Sequence, residues 1–174
     1  MGMDVHGLNP KENKKMSEFP TLNKMNKLDK DDKWKEKWEI LDNDTELREK
    51  YWKEKDEHEE INKGVYFRNN CWWWRPLWDF CYNVAKNSQY PSLISEELWK
   101  SGHHNDGAGL NDEDAKLLGA FLLKAIEDGD ADDFKKHHEE QEEKRQEDYR
   151  YPFDKENARV FAHFCIESGG FKIC

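Results

Sequence analysis

The stretch Arg68–Tyr82, RNNCWWWRPLWDFCY, holds four of the eight tryptophans and decides how the chain is read. Pro76 divides it. Proline has no N–H and suits the first turn of a helix, where that donor would lack a partner anyway. The spacing therefore predicts a helix from about Arg75 to Asn87, with Trp72–Trp74 as strand or tight loop. Within the helix, Trp74, Leu77, Trp78, Cys81 and Ala85 recur at helical intervals and give one apolar face. Three adjacent indoles cannot share one direction. In an extended run Trp72 and Trp74 take one face and Trp73 the other, so at least one is expected at solvent or at a ligand. Arg68, Asn69, Asn70 and Arg75 bracket the indoles with planar hydrogen-bonding groups. Aromatic faces beside guanidinium and amide groups suit a base and a phosphate. The competing reading is packing, with the tryptophans in the core and Arg75 stacked on one of them.

The composition sets limits on both readings. A chain of 174 residues is long enough for one domain with a real core. It is 38% charged with a mean hydropathy of −1.19, yet 13% aromatic. Charge alone would suggest disorder. The aromatics argue for a small Trp-rich core with long solvated helices attached. A net charge of −10 counts against nonspecific nucleic-acid binding and against anionic membranes, and it permits Asp and Glu to imitate a phosphate array. No apolar run approaches the length of a membrane span. Met1–Pro10 lacks a basic, apolar signal region, and His6 stands where a myristoylation pattern needs Ser or Thr. A cytosolic setting is expected, with Cys71, Cys81, Cys165 and Cys174 as free thiols.

Around the central stretch, alternation predicts a short strand over Met1–Val5, and Val65–Phe67 and Phe171–Cys174 read as two more. Lys11–Phe19 reads as polar linker. Lys24–Lys63 is dominated by Lys, Glu and Asp. Trp34, Trp38 and Leu41 mark one helix, Asp42–Thr45 a turn and cap, and Leu47, Tyr51, His58 and Ile61 a second helix. The expected unit is a charged helical hairpin with a thin apolar seam. Ser95 is expected to cap a short helix, Asn111 the strongest helix in the chain, with Leu118, Phe121, Leu122 and Ala125 buried, and Asp154 the last helix. Ala131–Arg150 reads as a mostly exposed polar helix, with Phe134 and Tyr149 its large apolar residues.

Gly102–Gly109, GHHNDGAG, is a second candidate site. His103, Asn105 and Asp106 offer a ring nitrogen, an amide and a carboxylate, and the glycines let a ligand approach the backbone. The loop leads into the Asn111 helix N-terminus, where anions are favoured. Turn formation alone would also explain the Asn-Asp-Gly run. His103, His104, Asp106, His163 and a cysteine lack diagnostic metal-ligand spacing, so neither metal nor cofactor is expected. Cys165 falls on an inward helical stripe, which argues for packing over catalysis.

The segments MGMDV, YFRNN, WWWRPLWDF, GHHNDGAGL and YPFDKENARVFAHF…SGGFKIC cover about half of the chain. In them the chain resembles a family of small proteins of tailed phages and prophages for which no activity is established. The resemblance implies a viral source and the cytoplasm of an infected bacterium. Relatives carry only a short connector in place of Lys24–Lys63, Tyr in place of His6 and an aromatic in place of His104. Some carry zinc-finger-like cysteine pairs where this chain has Lys135–Arg145.

The sequence thus predicts a mainly helical α+β single domain over residues 1–174, with a few short strands and an inserted hairpin over 24–63. The leading expectation is a counter-defence protein that binds a nucleotide-like ligand without cleaving it. Its expected contacts are Arg68, Asn69, Asn70, Trp72, Trp73, Trp74, Arg75, His103, Asn105 and Asp106. The alternatives are a small hydrolase using His103 and Asp106, and an acidic inhibitor of a host defence protein. Self-association is left open.

Overall fold

The computed structural model describes residues 2–145 and 151–174. Among them, eight α-helices and one four-stranded antiparallel sheet make a mainly helical α+β protein. No helix among the described residues is long and apolar enough to cross a membrane. The chain forms two compact units: Glu12–Asn62, and Met1–Lys11 together with Lys63–Cys174.

The larger unit is built on strands β1 (Gly2–Gly7), β2 (Tyr66–Asn70), β3 (Gly109–Leu110) and β4 (Phe171–Ile173), in the order β2-β1-β4-β3. The three strands expected from the sequence are all present, with bounds shifted by a residue or more, and β4 pairs with β1, Val5 facing Ile173. Met3, Val5, Phe67, Phe171 and Ile173 point inward. Asp4 and Arg68 face each other on the outer side, as do His6 and Tyr66.

Helix α4 (Cys71–Asn87) corrects the sequence reading. Trp72–Trp74 are neither strand nor loop; they lie in its first turn. The Asn70 side chain accepts hydrogen bonds from the N–H groups of Trp72 (3.0 Å) and Trp73 (3.1 Å), so the cap lies five residues ahead of Arg75. Pro76 then falls in the second turn, where it cannot donate to the Trp72 carbonyl. The apolar face itself is as expected. Trp74, Leu77, Trp78, Cys81 and Ala85 are buried. Trp74 stacks on Trp78 with centroids 5.5 Å apart, and Phe161 meets Trp74 edge-on at 5.5 Å.

Four more helices enclose this face. They are α5 (Glu96–Ser101), α6 (Asp112–Asp128), α7 (Asp130–Glu143) and α8 (Lys155–Glu167). Ser95, Asn111 and Asp154 cap α5, α6 and α8 as their sequences indicate. Gly129, at φ 93°, stops α6. Leu118, Leu122 and Ala125 are buried, but Phe121 is only half-buried. The expected continuation of the polar helix over 146–150, with Tyr149, lies outside the described residues.

The smaller unit has three helices, α1 (Pro20–Lys30), α2 (Trp34–Asn43) and α3 (Thr45–Ile61). Asp44 caps α3 by accepting from Leu47 N–H. Two elements differ from the expected hairpin. Pro20 opens a third helix that the expected hairpin lacks, in keeping with proline's preference for the first helical position. The seam is also different. Trp34 and Trp38 are 52% and 40% exposed, whereas Phe19, Leu22, Met25, Leu41 and Tyr51 form the core. The added helix supplies Leu22 and Met25, so α2 turns Leu41 inward and leaves its indoles outside.

Each unit has its own buried cluster. The chain leaving β1 is held by backbone bonds from Leu8, Asn9 and Lys11 N–H to the carbonyls of Gly170, Ser168 and Glu167. Replacing 12–62 with a short Gly/Ser linker is therefore expected to leave the larger unit folded. Its thermal midpoint should stay within a few degrees, a change below about 1 kcal/mol. An insoluble product would contradict this.

Candidate functional site

The register of β1 against β2 sets Gly2 opposite Asn70. A groove of about 400 Å³ forms there, lined by Gly2, Arg68, Asn69, Asn70 and Trp73. Trp73 is 37% exposed at the start of α4. Arg68 projects from the outer face of β2, and its Nε lies 3.5 Å from Asp4 Oδ1. The Arg68 side chain is 65% exposed, so this ion pair is weak and leaves the guanidinium open to a second anion. The Asn69 amide donates to Asn157 Oδ1 at 3.3 Å. Asn70 Oδ1 is occupied by capping α4. Asn105 joins this region from the glycine-rich loop, because its amide donates to the Gly2 carbonyl at 3.0 Å.

The other expected contacts are placed elsewhere. Trp74 is fully buried, and its indole N–H donates to the Gly102 carbonyl at 2.8 Å, so it is a core residue. Trp72 and Arg75 turn to another side of α4. Residues three apart on a helix lie about 60° apart around its axis, whereas Trp73 and Arg75, two apart, face nearly opposite ways. Trp72 packs on Tyr151 with centroids 5.3 Å apart. Arg75 donates to the Tyr151 hydroxyl at 2.6 Å and covers the same ring. Arg75 is thus an exposed side chain resting on Tyr151, where the packing reading placed it on a tryptophan of the core, and it lies away from Arg68.

The glycine-rich loop divides in the same way. Its backbone is pinned to β4 by bonds from Gly107 N–H to the Ile173 carbonyl and from Ile173 N–H to the Ala108 carbonyl. His103 Nε2 lies 3.3 Å from Asp79 Oδ1, which also accepts from the Trp99 indole at 2.8 Å. The carboxylate beside His103 is thus Asp79, not Asp106. His103 Nδ1 is buried with no hydrogen-bond partner among the described residues. Asp106 accepts from Ala108 N–H and lines a separate groove with His104, Glu96 and Lys100. The α6 N-terminus is filled by its own side chains. Asn111 accepts from Asp114 N–H at 2.9 Å and donates to the Asp114 carboxylate at 2.8 Å.

Burial pushes the Cys81 and Cys165 thiols well above their ordinary range, which disfavours the thiolate a nucleophile needs. Among the described residues no group of three His, Cys, Asp or Glu side chains is placed to hold a metal ion.

A cavity of about 790 Å³ lies between α4, α6 and α7 and includes none of the site residues expected from the sequence. Phe80, Phe121 and Phe134 line it from three different helices. Of the three, the sequence places only Phe121 on a buried stripe; Phe134 falls on a helix expected to be mostly exposed, and Phe80 lies outside the apolar face expected of α4.

No protein-family model matches the chain, and neither a curated protein nor a solved structure does.

Proposed function

We propose that the chain is a phage-encoded counter-defence protein that binds and sequesters a nucleotide-like ligand in the cytoplasm of an infected bacterium. One observation carries the binding part. A half-exposed indole, a guanidinium and two amides line a single groove of a size that suits one nucleotide. Trp73 supplies a face for a base, worth about 1–3 kcal/mol in such stacks. Arg68 offers a two-pronged contact to phosphate that lysine cannot copy. Ring, guanidinium and amides are binding groups, which favours capture over cleavage. The viral and counter-defence part rests on the sequence resemblance alone.

Small molecules released by heating protein purified from bacterial cells test this. Mass spectrometry is expected to find a nucleotide with the native chain and to lose it with Arg68→Ala combined with Trp73→Ala. Equal amounts from both proteins would contradict the reading.

A second reading has one observation in its favour. Trp34, Trp38 and Trp52 are each at least 40% exposed in the three-helix unit, more apolar surface than that unit needs for its own core. In this reading the unit holds a host defence protein. Pull-down from host lysate with and without residues 12–62 separates the two readings.

A further inference from the structure

The cavity between α4, α6 and α7 has a chemistry opposite to that of the Arg68 groove. Its floor is aromatic. Phe80 is buried, with its ring 5.1 Å from that of Phe134. Phe121 and Phe134 are half-buried and contribute to the lining. Its rim is acidic. Asp128, Asp130 and Asp133 line it together with a single lysine, Lys124. That lysine is already engaged in an ion pair with Asp128. Asp130 and Asp133 make no ion pair among the described residues. Neither caps α7, whose N-cap is Gly129 with no side-chain hydrogen bond. Lys124 and the three aspartates together carry a net charge of −2. Such a rim repels nucleotides and carboxylates, and it attracts a cation with an apolar body. At about 790 Å³ the space is that of a small-molecule site.

We propose that this cavity binds a protonated arylalkylamine. The aromatic body lies against Phe80, Phe121 and Phe134, and the ammonium group meets Asp130 and Asp133. The amides of Asn83 and Asn87, also in the lining, offer carbonyl oxygens as further acceptors for the ammonium hydrogens. An ammonium beside aromatic faces gains cation–π attraction in addition to the ion pairs. The site is separate from the Arg68 groove and does not depend on it.

Calorimetric titration of the full chain tests the assignment, with tryptamine and 4-phenylbutylamine as probes and indole-3-propionate as the anionic counterpart. Saturable binding of at least one amine is expected, weakening as salt rises, with no binding of the acid. Asp130→Asn combined with Asp133→Asn should weaken amine binding by at least about tenfold. Both positions are exposed, so circular dichroism should report an unchanged fold. Lack of saturable binding of both amines would overturn the proposal. So would equal binding of amine and acid, or full affinity retained in the double variant.

Discussion

Trp74→Ala is expected to destabilise the larger unit by about 3–5 kcal/mol, enough to leave much of the protein unfolded at moderate temperature. Trp74 is completely buried. Its ring stacks on Trp78 and receives the edge of Phe161, and its N–H satisfies the Gly102 carbonyl. Truncation opens a cavity the size of an indole and strands that carbonyl, so two costs add. Trp73→Ala, one residue earlier, should cost far less, because Trp73 is 37% exposed. Urea denaturation followed by circular dichroism compares the two. Similar losses from both variants would contradict the division of the Trp cluster into core and surface.

Gly102→Ala is the second large effect. A Cβ added at Gly102 would sit 2.3 Å from Trp78 Nε1 and 2.5 Å from its Cε2, closer than real atoms approach. The Gly102 backbone, at φ −65° and ψ −9°, is open to any residue, so the glycine is there for room, not for an unusual turn. The sequence suggested that glycines in this loop let a ligand approach the backbone. At Gly102 the approaching groups are the indoles of Trp74 and Trp78. Either the Trp78 ring or the loop must move, at a cost of about 1–3 kcal/mol or more. Gly107→Ala is the comparison, because nothing lies within 4 Å of an added Cβ there and only its φ of 89° resists the change. The Gly102 variant should show the lower urea midpoint and an altered near-ultraviolet tryptophan signal. A native-like signal and midpoint would contradict the packing described.

The sequence revealed most where the determining contacts are local. Asp44, Ser95, Asn111 and Asp154 each cap the helix that follows them, because an N-cap bond reaches only two or three residues. Asn70 carries the same signal, and Pro76 hides it, because a proline tolerated in a second turn reads from the sequence as marking the first. Long-range pairing was less visible. The groove exists because β1 sets Gly2 beside Asn70, a register no local pattern encodes. Arg68 and Trp73 line that groove together, while the turn of α4 carries Arg75, on the same segment, around to Tyr151. Trp34 and Trp38 show the limit of periodicity. Their i, i+4 spacing identifies α2 correctly but not its inward face, which Leu22 and Met25 from an unexpected helix, with Phe19 just ahead of it, determine.

Indole N–H resonances offer the most direct measurement on the groove, because each of the eight tryptophans contributes its own signal. The ¹⁵N-labelled full chain is titrated with the four ribonucleoside monophosphates, and the peaks are assigned with single Trp→Phe variants. The expected result is a saturable shift of the Trp73 indole with at least one nucleotide, little change at Trp74 and Trp78, and loss of the shift in Arg68→Ala. No movement of Trp73 with any nucleotide, or movement confined to Trp34, Trp38 and Trp52, would contradict a nucleotide site at the junction of β2 and α4.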